Sequence, residues 1–260
     1  MFKRLSTKLT FLYAGLFGLA LFVVALIVYV AISDNAARMV RGELQANGAV
    51  FDRVWAMREG QLSDSADILS RDFGFRDAVA TMDGPTIASA LDNLRQRLTI
   101  DRAFLMSIDG DLIGLDGVSE TEADEIWNAL DAQERAAGVL MIGGHPFQAV
   151  SAPVRAPNLI GWVVFAAELS PEHLRSLEEL APIPLTATVF TRAVAADQTW
   201  SAGDGEFSTA DLRRVERLFA APGGAADAPA RIRLEGRDAI ALAKPLRGFG
   251  GEADATLLLR

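Results

Sequence analysis

From Leu9 to Ser33 the chain carries no charged residue, and most of the run is Leu, Val, Ala, Phe and Ile. A helix rising ~1.5 Å per residue over such a run crosses a hydrocarbon core of ~30 Å. Lys3, Arg4 and Lys8 stand before it and Asp34 just after it. Basic residues stay on the cytoplasmic side, so residues 1–8 are expected inside, 9–33 in the membrane, and the rest outside. Tyr13 and Tyr29 lie near the two ends, where interfacial aromatics sit. A cleaved secretory signal is the rival reading, but its apolar region runs only ~7–15 residues and ends at a small-residue cleavage site. Here the run is longer, and Ala36-Ala37 leads straight into a helical pattern. The expectation is a single N-terminal anchor in the inner (cytoplasmic) membrane, with the bulk of the chain periplasmic.

Composition removes several function classes. The 260 residues include no cysteine, which excludes disulfide frameworks, thiolate zinc sites and cysteine nucleophiles. Acidic residues outnumber basic ones 34 to 25, a net charge of −9, whereas nucleic acid demands a positive surface. No G-x-S-x-G, H-E-x-x-H, P-loop or Rossmann glycine pattern occurs, so no catalytic residue is assigned and no metal or cofactor site is read. Asp109-Gly110-Asp111 lacks the spaced acids of a calcium loop and reads as a hairpin turn; Asp204-Gly205-Glu206 reads the same way. His145 and His173 are far apart in unrelated contexts, one in a Gly-Gly-His-Pro turn and one at a helix start.

Past the membrane the pattern stays helical. Val40, Leu44, Phe51, Trp55, Leu62 and Ala66 recur at alternating fours and sevens, with Leu69 three further on and charged residues between them, and no proline interrupts before Pro85. This predicts one long amphipathic helix whose apolar stripe covers the following domain and offers a face for a homodimer. Short helices are expected over Phe75–Thr81 and Pro85–Leu98, completing a 34–100 helical region.

From Arg102 the period becomes strand-like. Ala103–Asp109 and Leu112–Leu115 form a hairpin, Thr121–Arg135 a helix, and Val139–Ile142, Phe147–Val154 and Ile160–Glu168 three strands. After a connector helix over Pro171–Leu180 the order recurs. Leu185–Arg192 and Gln198–Trp200 are strands, and Ser208–Phe219 is a helix with a Ser/Asp capping start. Arg231–Leu234, Ala239–Pro245 and Ala255–Leu259 follow as strands, after a Pro222–Pro229 loop. Two α+β modules are therefore expected, each an antiparallel sheet with helices on one side: 101–169 and 183–260, joined by 170–182. Trp127, Trp162 and Trp200 read as core residues.

At this point the chain resembles the double Cache sensors, in which two PAS-like modules share one long N-terminal helix outside the membrane. The likeness is most specific in Asp72–Asp109. There Asp83, Thr86, Ser89-Ala90-Leu91, Asn93, Arg97 and Asp109-Gly110 carry it; Pro153 and Gly161-Trp162-Val163 extend it, and it weakens in the second module. The resemblance implies a receptor for an unknown small-molecule ligand, bound in the membrane-distal module. It also implies a second membrane helix and a cytoplasmic output domain, most often one for cyclic-di-GMP turnover, otherwise a histidine kinase or adenylate cyclase. A membrane-anchored scaffold without a ligand is the alternative. A carboxylate-sized ligand calls for guanidinium forks and amide donors. Asn93 and Arg97, one turn apart on a helix, are candidates, with Gln148 on an inner strand and Arg76 in an expected tight corner.

Overall fold

The computed structural model describes residues 2–98, 100–178, 186–192, 200–202, 207–219, 228–234, 236–251 and 255–260. Helix α1 spans Phe2–Arg71. The chain divides into two compact units, Met1–Glu43 and Leu44–Arg260. In the first, Leu12–Ile32 is long and apolar enough to cross a membrane, and none of it is buried.

In the second unit the expected stripe is real: Leu44, Phe51, Leu62, Ala66 and Leu69 are buried and Trp55 is partly so. Two short helices follow. In α2 (Phe73–Ala80), Asp72 caps the start, its carboxylate accepting from the Phe75 N–H at 2.8 Å. Arg76 therefore sits in the first turn of a helix, because this cap continues the chain helically where a corner was expected. In α3 (Gly84–Leu98), Pro85 occupies the first turn and the Thr86 N–H reaches Asp83.

Strands β1 (Arg102–Ser107), β2 (Leu112–Ile113), β3 (Ala137–Ile142), β4 (His145–Arg155) and β5 (Leu159–Glu168) form an antiparallel sheet in the order β2-β1-β5-β4-β3. Helix α4 (Glu120–Ala132) lies between β2 and β3 in sequence. After α5 (Pro171–Glu178) come β6 (Ala187–Arg192), β7 (Trp200–Ala202), α6 (Thr209–Phe219), β8 (Ala230–Leu234), β9 (Arg237–Leu246) and β10 (Ala255–Leu259). Their order, β7-β6-β10-β9-β8, repeats the permutation of the first sheet. Residues 179–185, 193–199, 203–206 and 220–227 lie outside the described residues. With them go the end of the expected connector, the start of the Leu185–Arg192 strand, most of Gln198–Trp200, the acidic turn at 204–206 and most of the Pro222–Pro229 loop.

Helices cover both faces of each sheet, where one covered face was expected. On the first sheet Val163 and Phe165 pack with Ala66, Phe75, Ile87 and Leu91 of α1–α3, whereas Phe104 and Trp162 pack with Ile126 and Leu130 of α4. The reason is legible in β1 and β5. Phe104-Leu105-Met106 and Trp162–Ala167 are apolar without alternation, so both faces must leave water. The second sheet follows suit, with Leu44 and Phe51 of α1 on one side and Val215 of α6 on the other.

The two sheets are also joined directly. The segment after β9 runs beside β3: the Val139 N–H donates to the Arg247 carbonyl at 2.8 Å and the Phe249 N–H to the Val139 carbonyl at 2.9 Å. Gly138 makes the approach possible, since with φ of +149° an added Cβ would collide with the Arg247 carbonyl oxygen. Phe249, only 3 % exposed, enters the α4-side core of the first sheet.

Candidate functional site

The four candidate residues fall in three places. Asn93 and Arg97 share the outer face of α3 and line an open groove of about 760 Å³ against the last turn of α1. Thr86, Ser89, Arg71 and Asp72 add polar groups, and exposed Ile68 contributes an apolar edge. Arg97 has no hydrogen-bond or ion-pair partner among the described residues, and Arg71 reaches Asp67 only at 3.7 Å. Asp72 is committed to its cap, so two guanidiniums outweigh the groove's one carboxylate.

Gln148 is elsewhere. It is 1 % exposed on the α1 side of β4, and its Nε2 donates to the Trp55 carbonyl of α1 at 3.0 Å. Arg76 is apart from both. Its Nη1 reaches the Arg155 carbonyl at 3.5 Å, while its Nε is buried with no partner.

The α4 side of the first sheet is filled. Phe104, Met106, Phe147, Trp162, Ile126 and Leu130 are all buried there. One polar atom among them is unmet: the indole N–H of Trp162, buried and without an acceptor. Sequence reasoning placed Trp162 in the core correctly and had no means of seeing this unpaired donor. Trp127, by contrast, donates to the Ile108 carbonyl at 3.2 Å. The side chain of Trp200 lies outside the described residues.

At the rim of that face Glu122 ties α4 to the β3–β4 turn. Its carboxylate accepts from the Ser119 N–H and hydroxyl at 2.9 and 2.8 Å and from the Gly143 N–H at 2.9 Å. Burial pushes its pKa up, but the hydrogen bonds from Ser119, Gly143 and Gly144 outweigh burial and leave it below the ordinary value. His145 follows on this turn, exposed, 3.5 Å from Glu168. His173 bonds Ser170 at 2.9 Å. Neither joins a cluster of metal-ligating side chains among the described residues.

Comparison with solved structures finds the same fold at low identity. A domain of a sensory box/GGDEF family protein from Vibrio parahaemolyticus aligns with a TM-score of 0.54, 9 % identity, and coverage of 84 % of this chain and 94 % of that one. The ligand-binding domain of the Pseudomonas fluorescens chemoreceptor CtaA, solved with L-isoleucine, gives 0.51 at 12 % identity over 88 % and 93 %. The sensory domain of the Campylobacter jejuni chemoreceptor Tlp3 gives 0.50 at 10 % identity over 85 % and 91 %. Comparison with curated proteins finds no match. Residues 30–260 match the family described as the double sensory domain of two-component sensor kinases, and this chain belongs to that double Cache family of extracytoplasmic sensor domains.

Proposed function

We propose that this chain is the extracytoplasmic, ligand-sensing region of an inner-membrane receptor, and that a small anion bound in the α1–α3 groove biases the position of α1. The observation that carries the reading is the double sensory match from residue 30, inside the apolar span, to residue 260. Arg97 and Asn93 are the ligand contacts in this reading; Gln148 and Arg76 brace α1 and α2 around them. Ligand and signal are coupled only if the two positions of α1 bind the anion with different affinity. The stripe expected to serve both roles is buried against the chain's own sheets, so in this reading two copies associate as a homodimer through the exposed α1 face that carries Met39, Val50 and Met57. The output is cyclic-di-GMP turnover by a separate cytoplasmic domain, a choice supported by the likeness to the GGDEF-associated sensor, with a kinase or cyclase in second place.

The solid α4-side core favours a second reading, a membrane-tethered interaction scaffold without a small ligand. Thermal unfolding of the full chain in detergent, against a panel of carboxylates, amino acids and amines, separates the two. A ligand at a hundred times its dissociation constant stabilises by ~2.7 kcal/mol, a rise of several degrees. A shift lost in Arg97→Ala supports the groove. A shift that survives there but vanishes in Trp162→Phe moves the ligand beneath α4. A flat panel favours the scaffold.

A further inference from the structure

A smaller and more enclosed space of about 100 Å³ lies among α1, β4, the end of β5 and the start of α5. Its walls are mostly apolar. Phe51 and Trp55, with ring centroids 5.7 Å apart, line one side, and Leu169 and Leu174 line another. Three polar side chains break this lining: the carboxamide of Gln148, the guanidinium of Arg58 and the imidazole of His173.

They differ in how they are satisfied. Gln148 is held by the Trp55 carbonyl and His173 by Ser170. Arg58 is partly buried and has no hydrogen-bond acceptor or ion pair among the described residues. Its neighbouring carboxylate, Asp101, already accepts from the Glu168 N–H at 2.7 Å. Burial lowers the pKa of Arg58 and the charge of Asp101 only partly opposes it. Arg58 thus has the charge of Asp101 nearby but no hydrogen-bond acceptor among the described residues, which leaves its donors open to an oxyanion in the cavity.

We propose that this junction cavity binds a small aliphatic monocarboxylate, its two oxygens held by the Arg58 fork and its short tail against Phe51, Trp55 and Leu174. A planar guanidinium matches a carboxylate through two parallel N–H···O bonds. At ~30 Å³ per water the space admits roughly three waters, or an acid of about two or three carbons. The occupant would touch α1 and the α5 connector together. The site stands apart from the α3 groove and does not depend on what binds there.

The test uses the full chain in detergent with sodium propionate as probe, and propionamide and sodium chloride at equal ionic strength as controls. Propionate is expected to raise the unfolding midpoint by several degrees, and both controls to leave it in place. Arg58→Met should lose the shift and Arg58→Lys should keep only part of it. Arg97→Ala should keep all of it. Should Arg58→Met fail to fold by circular dichroism, Arg58→Lys and propionamide decide. No shift with propionate, an equal shift with propionamide or chloride, or an undiminished shift in an Arg58 variant overturns the site. Loss of the shift in Arg97→Ala also overturns it, and reassigns the anion to the groove.

Discussion

At the scale of single residues, the buried Ser107, Gln148 and Ser151 of the first sheet are held by backbone partners. Ser151, 4 % exposed, accepts the Ala136 N–H at 2.8 Å and donates to the Ala136 carbonyl at 3.2 Å. That carbonyl also takes the Ser151 N–H, so only the Ala136 N–H depends on the hydroxyl. Ser151→Ala is expected to destabilise by ~1–3 kcal/mol, the cost of one buried unmet donor, read by urea unfolding. Gln148→Leu should cost less, because the Trp55 carbonyl retains its place in α1 and a leucine suits the apolar surroundings. Gln148 was legible in the sequence as a polar residue on an inner strand. Which face it took was not, since Phe147 and Ala149 on one face and Val150 on the other are equally apolar. Ser151 gave no signal, because a serine in a strand looks the same whether it bridges a buried edge or faces water.

At the scale of elements, α4 shows local chemistry holding a helix to a turn. Ser119 and Glu122 form a capping box, with Ser119 accepting the Glu122 N–H at 3.3 Å. The same glutamate accepts from Gly143, at a tight turn where Gly143 and Gly144 have φ of +58° and +79°, as a two-residue hairpin requires. Ser119→Ala should cost ~1 kcal/mol. The pH dependence follows from the lowered pKa of Glu122. Its contribution is fully present above the ordinary value of 4.5 and is lost as pH falls through the lower, folded value. Urea unfolding of Glu122→Gln should therefore show a deficit against the native chain at pH 7 that closes below pH 4.5. An unchanged gap at acid pH would mean the carboxylate's charge is not what stabilises the cap. The strands were readable to within one to three residues at most ends, because turn glycines and changes of period mark them. The double covering of each sheet was overlooked, although consecutive apolar residues in β1 and β5 announce it. Repeating the strand–strand–helix order said how often a module occurred, and not on which face its internal helix fell.

At the scale of the whole second unit, the two sheets share α1 on one side and the Arg247–Phe249 segment on the other. Phe249 belongs by sequence to the second module and by burial to the first. Phe249→Ala is expected to cost ~3–5 kcal/mol, as for other buried aromatic truncations. It should also divide one cooperative unfolding transition into two, followed by calorimetry. Gly138→Ala should act in the same direction by pushing Arg247 away. No sequence pattern announced this joint, because a Gly-rich turn after a strand does not say which other strand it meets. The joint matters in another way too. An unpaired strand edge is a template for a second chain, and folds that leave one long and flat tend to clump. The first sheet ends at β2, only two residues long, and at β3, six residues long. The segment after β9 lies along β3 and occupies its hydrogen-bonding groups at Val139. Wherever residues 247–249 are not docked on β3, its edge is bare at Val139 and open to pairing with a second chain.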